Sequence, residues 1–506
     1  MIRSIIRAAA LLGFLGVGAP VFPQAVIGGE WRDDVAKYAR SLVESRLTPG
    51  IAVAVSLGDA VLYSAGFGAA DVDSGRGVGD STVFYIASST KALTATAVVL
   101  AAARGEIDLD APVARYVPGL RWRPALDPAS ITVKSLLAMT HGLDPGGPVV
   151  FRTAFTGEFT NALLIDLLGG YGPSAKGGGF EYGNLGYNIL GLLLDPAREE
   201  GWKDIVERDV LSPLGMASTS ARLSRLDPGR IAYPHALVPG QGFRRVRLGK
   251  ADANLHAAGG HFATAEDLAR FVAAHASGGL LEGRRVFPKG PIASTHEKRA
   301  DQDRTFGPFH RFGWGYGWDL GSWEGKTIVH RFGSFPGYRS HMSFETDSRI
   351  GVVVLVNADG PASPAADLLA TYIYDRLLGR PDLEAAYRER LDGLVREAGT
   401  GEREEAAVLA NRRARLAPLP HPLGDYAGTY EDPKLGRMVW QVVAAGLEVR
   451  MGIAGCRAEV YDAAKNLLRV ELTGGGAVAG FEFPEGGGPA SAVSFQGARF
   501  VRVKAP

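Results

Sequence analysis

The sequence predicts an α+β fold with an antiparallel sheet, followed by a small all-β barrel near the C-terminal end of the chain. Residues 51–68 form two apolar-alternating runs around Gly58-Asp59, which is typical of a hairpin, and residues 313–357 contain further runs of this kind. Helical segments and Gly/Pro-rich loops fill the region between these two groups of strands. A sheet whose edges come from distant parts of the chain, with helices between them, is an α+β architecture.

Length and composition predict two domains of unequal size. A chain of 506 residues is longer than a single domain with one hydrophobic core usually is. We expect the large α+β domain over residues 30–380 and a charged helical linker over residues 381–422, which are dense in Arg and Glu and end in a Pro-rich stretch. Residues 423–506 contain short alternating runs separated by glycine clusters, which predicts the barrel.

The N-terminal residues have the layout of a secretory signal peptide. Arg3 and Arg7 precede an uncharged stretch over residues 8–22, and small residues follow. This stretch is shorter than a membrane-spanning helix needs, and no later stretch of uncharged apolar residues reaches that length. We therefore expect a signal peptide over residues 1–25, no stable transmembrane segment, and a secreted or periplasmic protein. An uncleaved anchoring N-terminus is the alternative.

The composition excludes several kinds of partner and site. A formal net charge of +1 lacks the excess of positive charge that is typical of nucleic-acid-binding proteins. Cys456 is the only cysteine, so no intramolecular disulfide forms, and it lacks a histidine partner at a spacing typical of a thiol nucleophile. The ten histidines show no H-E-x-x-H or H-x-H motif, and no G-x-S-x-G elbow is present. We expect neither a metal nor a cofactor.

The tetrad Ser88-Ser89-Thr90-Lys91 stands where an apolar helix, predicted over residues 92–103, begins. Residues i and i+3 share a helix face, so the Lys91 amine can reach the Ser88 hydroxyl. A serine becomes a strong nucleophile when a base takes its proton, and a desolvated lysine can be that base. The N-terminus of the helix also offers backbone N–H groups that can stabilise an oxyanion. In the structural alternative Ser88 caps the helix and Lys91 is solvated, although lysine is unfavourable beside the positive end of the helix dipole.

Tyr182 and Asn184 form a second candidate pair, on a segment that follows a glycine-rich loop. A tyrosine beside a cation can shuttle protons, and an amide can hold a substrate carbonyl. An aromatic packing anchor with an Asx turn is the structural alternative.

The third candidate motif is His330-Arg331-Phe332-Gly333-Ser334, on a predicted strand that ends at Pro336-Gly337. Gly333 would let a substrate backbone approach closely, and Arg331 or His330 would pair with a substrate carboxylate. A plain strand ending in a Pro-Gly turn is the structural alternative.

Together the three motifs resemble, in order and spacing, the penicillin-recognising serine hydrolases: class C β-lactamases, D-alanyl-D-alanine carboxypeptidases, D-aminopeptidases and related esterases. Further stretches match the same family, namely TPGI at 48–51, ITVKSLL at 131–137, THGL at 140–143, PLGM at 213–216 and AGG at 258–260. The resemblance covers residues 35–378 and implies a β-lactamase/transpeptidase-like fold, an antiparallel sheet with an all-helical subdomain. DYAGTY at 425–430 resembles the start of the lipocalin-like barrel appended to some members, which implies a role at the active-site entrance or in an oligomer contact.

The resemblance also implies a role for each candidate residue. Ser88 would be the acylated nucleophile and Lys91 its activating partner. Tyr182 would relay protons during acylation and during the attack by water, and Asn184 would contact the substrate amide or ester. The backbone N–H groups of Ser88 and Ser334 would form the oxyanion hole.

The third motif departs from the family pattern. Arg331 takes a position that is Lys or His in relatives, with His330 an alternative if the strand register differs, and Phe332 takes one that is often Thr, Ser or Gly. Because Phe332 would remove a small or hydroxyl side chain from the groove, we expect β-lactam hydrolysis to be weak at best.

Our hypothesis from the sequence is an exported serine hydrolase that forms an acyl-enzyme on Ser88. It would hydrolyse an ester or amide of a small-molecule or peptide substrate, as an esterase or a D-peptidase/carboxypeptidase does. The alternative is a non-hydrolytic penicillin-binding or peptide-sensing protein on the same scaffold. Tyr182 favours turnover, because a sensor has no need to activate water.

Overall fold

The computed structural model describes residues 29–415, 418–444 and 446–503 of the chain. The predicted signal peptide, residues 1–25, lies outside these ranges. No helix within them is long and apolar enough to cross a membrane.

Helices and strands alternate along most of the chain, and one long helix precedes the C-terminal strands. The helices are α1 (Trp31–Glu44), α2 (Thr90–Ala103), α3 (Val133–Leu137), α4 (Pro148–Phe151), α5 (Asn161–Leu168), α6 (Leu185–Leu194), α7 (Gly201–Val206), α8 (Ser212–Leu214), α9 (Ala265–Ala276), α10 (Lys289–Thr295), α11 (Ala362–Leu377), α12 (Leu383–Arg413) and α13 (Leu423–Tyr426). The strands before residue 420 are β1 (Gly50–Leu57), β2 (Ala60–Asp71), β3 (Arg76–Gly77), β4 (Phe84–Tyr85), β5 (His235–Val238), β6 (Gly242–Arg245), β7 (Phe262–Ala263), β8 (Leu280–Leu281), β9 (Arg284–Arg285), β10 (Ala300–Phe306), β11 (Phe309–Trp314), β12 (Asp319–Trp323), β13 (Lys326–Phe335), β14 (Tyr338–Glu345) and β15 (Ile350–Val356).

The main sheet is antiparallel and joins the two ends of the large domain. Its nine strands run in the order β10-β11-β12-β13-β14-β15-β1-β2-β3. The hairpin of β1 and β2 turns at Gly58-Asp59, as the sequence predicts, and β1 pairs with β15 so that Ile51 lies opposite Val356. The α+β prediction is therefore confirmed, including the joining of distant chain segments in one sheet.

Strand β1 shows how the alternation of side chains builds both faces of this sheet. Ile51, Val53 and Val55 pack in one core with residues of α1 and α11. Ala52 and Ala54 point the other way and pack in a second core with residues of α9. The sheet is thus covered by helices on both faces.

Helix α2 lies between two cores, which explains its almost wholly apolar sequence. Leu93 and Ala97 pack with the core that contains α9, and Ala95 and Val98 pack with a separate core of helices α3, α5 and α6. A helix that is apolar on every side is buried on every side. The N-terminal end of α2 therefore lies at the junction of the sheet and the helical subdomain.

The long charged helix predicted before the barrel is α12. Of its side chains, Tyr387 and Leu391 are buried, and the Tyr387 hydroxyl donates a hydrogen bond of 2.6 Å to Asp375 of α11. Most of its Arg and Glu side chains are exposed. The helix thus packs along the large domain on one side.

The C-terminal region forms a nearly closed antiparallel barrel of nine strands. The strands are β16 (Gly428–Asp432), β17 (Gly436–Val443), β18 (Gly446–Met451), β19 (Ala454–Arg457), β20 (Glu459–Asp462), β21 (Leu467–Val470), β22 (Ala477–Glu482), β23 (Ala492–Phe495) and β24 (Ala498–Val503). Their order, β19-β18-β17-β16-β24-β23-β22-β21-β20, begins and ends with strands that are consecutive in the chain. The predicted all-β barrel is confirmed.

Candidate active site

Ser88 lies in a tight turn between a short strand and the buried helix α2. Strand β4 leads into a 3-10 turn, Ala87–Ser89, and α2 starts at the next residue. Ala87 has a φ of +45°, a left-handed conformation that costs a non-glycine residue of order 1 kcal/mol or more. Ser88 is partly exposed, whereas Ser89 and Thr90 are buried. The turn therefore presents Ser88 alone at the mouth of the helix.

Strand β13 of the main sheet passes directly beside this turn. The Ser340 hydroxyl, on the neighbouring strand β14, donates to the carbonyl of Ile86 at 2.8 Å and lies 2.8 Å from the hydroxyl of Ser89. A Cβ atom at Gly333 would overlap the Ile86 carbonyl, so the glycine permits a close approach of the chain to itself. The sequence predicts that Gly333 lets the substrate backbone approach. In the structure, Gly333 instead lets the Ile86 carbonyl lie against β13.

Lys91 is buried and makes three polar contacts. Its Nζ lies 3.1 Å from Ser88 Oγ, 2.7 Å from Asn184 Oδ1 and 2.8 Å from the carbonyl oxygen of Ala258. The amide and carbonyl oxygens only accept, so they hold two N–H groups of the amine and leave its third position towards Ser88. Burial lowers the pKa of Lys91 from 10.5 to about 8, the direction needed for a base.

Tyr182 lies next to two cations. Arg331 Nη2 donates to the phenol oxygen at 2.8 Å, and Lys91 Nζ lies 5.1 Å from the centre of the ring. Burial raises the pKa of Tyr182, but the charges of Arg331 and Lys91 and hydrogen bonds from Ser88 and Lys91 outweigh it and lower the pKa to about 8. A phenol with this pKa can exchange a proton near neutral pH.

Arg331 is buried, and four of its five N–H groups donate to protein groups. Nη1 donates to Asp319 Oδ2 at 2.9 Å, Nη2 donates to Tyr182 and to the carbonyl of Phe332, and Nε donates to the same carbonyl at 3.1 Å. Arg311 also contacts Asp319 Oδ2, at 3.3 Å. Arg331 therefore binds the phenol, and the one N–H group that remains cannot hold a substrate carboxylate through two hydrogen bonds.

His330 and Phe332 lie on the opposite side of β13 from Arg331. The His330 ring packs against Phe309 and Phe332, with centroids 5.1 and 4.6 Å apart, and within the described ranges neither ring nitrogen has a hydrogen-bond partner. Phe332 belongs to the core that contains α1 and α11. The structure does not bring His330 to Ser88, and it corrects the expectation that position 332 is one whose side chain faces the groove. The residues of β13 alternate, which places Arg331 at the site.

Asn184 and Ser334 are the two remaining candidate residues. Asn184 is half-buried at the start of α6 and contacts Lys91. Ser334 follows Gly333 on β13 and is exposed. Because β13 and the Ser88 turn are held together by Gly333 and Ser340, the backbone groups of Ser88 and Ser334 lie on adjoining segments.

Sequence patterns do not single out the side chain of Asp319 or the carbonyl of Ala258. Asp319 becomes visible only when β12 is paired with β13, which sets it opposite His330 and within 2.9 Å of Arg331. Ala258 lies in the stretch AGG, which matches the family without indicating a role. No cluster of His, Cys, Asp and Glu that could hold a metal ion occurs in the part of the chain that the structure describes.

The barrel contacts the large domain near this site. Arg152 Nε donates to the carbonyl of Lys434 at 3.0 Å, and the backbone N–H of Ile453 donates to the carbonyl of Thr156 at 3.0 Å. Both Arg152 and Thr156 belong to a π-helical turn, Arg152–Thr156. Gly474 of the barrel packs against Pro336, two residues after Ser334. The barrel therefore reaches the end of the strand that borders Ser88.

Comparisons with known proteins agree with the predicted fold. A family model described as beta-lactamase matches residues 35–374, more than half of the chain. Penicillin-binding protein 4 of Amycolatopsis lactamdurans is 27% identical over 371 residues, covering 71% of this chain and 94% of the relative. Esterase EstB of Burkholderia gladioli is 31% identical over 214 residues, covering 40% of this chain and 53% of the esterase.

One solved structure extends the likeness over both domains. The octameric penicillin-binding protein homologue from Pyrococcus abyssi has a TM-score of 0.58 and 21% identity, and the match covers 93% of this chain and 100% of that chain. At this level of identity the likeness shows the fold.

Proposed function

The chain belongs to the beta-lactamase family, and we propose that it is a serine hydrolase that forms an acyl-enzyme on Ser88 and hydrolyses an ester or an amide. The observation that carries the proposal is the set of contacts around Lys91 Nζ. Two acceptors fix two N–H groups of the neutral amine, and its lone pair is directed to Ser88 Oγ at 3.1 Å. The tetrad is thus a nucleophile with its base.

Acylation follows from this geometry. Ser88 Oγ attacks the substrate carbonyl carbon while its proton passes to Lys91, and a C–O bond to the enzyme forms. The leaving alcohol or amine then departs with a proton delivered through Lys91 or Tyr182. Backbone N–H groups of Ser88 and Ser334 are our candidates for stabilising the oxyanion.

The properties of Tyr182 favour a hydrolase that turns over its substrate rather than a protein that is only acylated. The neighbouring charge of Arg331 helps to bring the phenol pKa to about 8, so Tyr182 can take a proton from the water that attacks the acyl-enzyme. A protein that is only acylated would gain nothing from this arrangement. We therefore favour a hydrolase over the penicillin-binding or sensing alternative.

The substrate class rests on relatives and on the third motif. The names of the relatives point to penicillin binding and to ester hydrolysis. Four of the five N–H groups of Arg331 are occupied by protein groups, which leaves no bidentate partner for a β-lactam carboxylate on this strand, so we propose that β-lactam hydrolysis is weak and that esters or D-peptide-like amides are preferred.

Steady-state assays separate the hydrolase from the binding protein. The purified protein is mixed with a chromogenic short-chain ester and, separately, with a fluorescent penicillin. Continuous product release that Ser88→Ala abolishes supports the hydrolase, with Ser220→Ala, at a partly exposed serine outside the site, as the matched control. A stoichiometric burst without turnover on every ester would support the alternative.

We also propose export, on the strength of residues 1–25 alone. N-terminal sequencing of the protein recovered from the periplasm or medium of expressing cells would test it. A mature N-terminus near residue 26 is expected; an intact Met1 in the cytosol would contradict export.

A further inference from the structure

Lys250 is a second lysine that packs against the segments on either side of Ser88 and Ser334 and that the proposed chemistry does not use. It lies in the loop between β6 and the 3-10 turn Asp252–Asn254, and its side chain is half-buried. The ammonium sits 3.9 Å from the ring centre of Phe335 and 5.1 Å from that of Tyr85. It donates one hydrogen bond, of 2.9 Å, to the carbonyl of Ala154.

The two rings belong to the segments that build the site. Phe335 directly follows Ser334, and Tyr85 precedes Ser88 by three residues. The two rings also contact each other, with centroids 5.4 Å apart. Lys250 therefore lies against the place where β13 and the nucleophile turn meet.

The charge of Lys250 has no counterion within the described ranges, where no carboxylate oxygen lies within 4.0 Å of its Nζ in an ion pair. An ammonium has three donors, and the carbonyl of Ala154 occupies one. The neighbouring cations differ, because Lys91 has three polar contacts and Arg331 is paired with Asp319. Lys250 thus has two N–H groups left for a ligand.

We propose that Lys250 binds a carboxylate of the substrate, so that the preferred substrate is an ester or amide that carries a negative charge near the scissile bond. This inference rests on the proposed function and adds a substrate class to it. The aromatic rings hold the ammonium by cation–π contact and keep water from part of its surface, which strengthens a charge-assisted hydrogen bond. Burial lowers the pKa of Lys250 to about 7, and a bound carboxylate would favour its charged form.

The position of Lys250 is fixed by the turn on which the barrel docks. Ala154, its hydrogen-bond acceptor, belongs to the π-helical turn that binds the barrel through Arg152 and Thr156. Thr153 of the same turn accepts a hydrogen bond of 2.9 Å from Asn188, one helical turn after Asn184. A π-helical turn is a frequent feature of functional sites.

Paired esters test the inference. One pair varies the acyl group, 4-nitrophenyl monoglutarate against 4-nitrophenyl valerate, and the other varies the leaving group, 3-carboxy-4-nitrophenyl acetate against 4-nitrophenyl acetate. The anionic member of at least one pair should have the higher kcat/KM. Lys250→Met should lower the anionic-to-neutral ratio of kcat/KM for that pair at least about tenfold, mainly through KM, as expected for loss of a charge-assisted hydrogen bond. Lys250→Arg should restore most of the ratio, and Lys37→Met, an exposed lysine on α1, is the matched control.

Three outcomes overturn the inference. The first is a preference for the neutral ester in both pairs. The second is an unchanged ratio in Lys250→Met. The third is an equal loss in Lys250→Met and Lys250→Arg accompanied by a lower Tm, which would assign Lys250 a purely structural role. If the parent hydrolyses none of the four esters, the proposed function fails and takes this inference with it, whereas ester hydrolysis with no charge preference overturns this inference alone.

Discussion

Arg331 donates a hydrogen bond of 2.8 Å to the phenol oxygen of Tyr182 and is itself held by Asp319 at 2.9 Å. The pair joins a strand of the main sheet to a loop of the helical subdomain. It places a permanent positive charge beside a proton-carrying group, which favours the phenolate.

The first prediction concerns the pH dependence of this pair. Lys91 must lose its proton to act as a base, so kcat/KM should rise with pH through a limb near 8, the pKa that burial gives Lys91 and that nearby cations give Tyr182. Replacing Arg331 by Met removes a charge that lowers the phenol pKa. We expect the limb in Arg331→Met to move up by roughly one pH unit or more.

The pH profile of kcat/KM for a neutral ester measures this shift. Arg331→Lys keeps the charge and should lie closer to the parent, which separates the electrostatic effect from a loss of packing. A limb at the same pH in the parent and in Arg331→Met would refute the electrostatic role of Arg331.

The second prediction concerns Tyr182 itself. Tyr182→Phe keeps the ring and its edge-on contact with Trp314 but removes the hydroxyl. We expect kcat to fall by about 10² or more because the attacking water loses its proton acceptor. Stopped-flow release of nitrophenol should show a burst before a slow steady state if deacylation is affected more than acylation. A kcat within threefold of the parent would exclude Tyr182 from proton transfer.

The third prediction uses the close approach at Gly333. An alanine Cβ would overlap the Ile86 carbonyl and push β13 away from the Ser88 turn. We expect Gly333→Ala to lower kcat at least about tenfold and to cost roughly 1–3 kcal/mol of unfolding free energy, as overpacking does. Ester assays and urea denaturation measure both effects.

Gly401→Ala is the matched control for this substitution. Gly401 lies in α12, where an added Cβ meets no atom within 4 Å, so the variant should keep full activity and gain roughly 0.5–1 kcal/mol in stability. Normal activity of Gly333→Ala would mean that the position of β13 relative to Ser88 is unimportant.

The fourth prediction concerns the docking of the barrel. Arg152 is buried and donates to the carbonyls of Lys434 and Glu158 at 3.0 and 2.9 Å. Arg152→Met leaves both carbonyls without this donor, so we expect a loss of about 2 kcal/mol or more in denaturant unfolding. Arg208→Met, at an exposed arginine, should change the unfolding free energy by less than about 0.5 kcal/mol. Equal stability of the two variants would show that this contact does not hold the barrel.

Local patterns were sufficient to predict the elements that carry the chemistry. The i, i+3 spacing of Ser88 and Lys91 places both on one face, and the apolar run after Lys91 predicts a buried helix; the structure has both. The turn at Gly58-Asp59 and the barrel strands follow from alternation and glycine spacing in the same way. These features depend on residues that are close together in the chain, so a single sequence is enough to predict them.

Features that depend on strand pairing could not be predicted. The choice between His330 and Arg331 is decided by which side of β13 faces Tyr182, and one residue of register reverses that choice. Asp319 lies on a strand and Lys250 on a loop that no local pattern connects to Ser88. The resemblance assigns position 332 to the groove, but it does not show on which side of β13 the Phe332 side chain lies.

Mass spectrometry of a trapped intermediate tests the central claim most directly. The protein is mixed with a slow ester substrate, quenched with acid within the first turnover and digested with a protease. We expect the mass of the acyl group on the peptide that contains Ser88 in the parent and in Tyr182→Phe, and no adduct in Ser88→Ala. Hydrolysis that persists in Ser88→Ala, or an acyl group carried by a different residue, would contradict the assignment of Ser88 as the nucleophile.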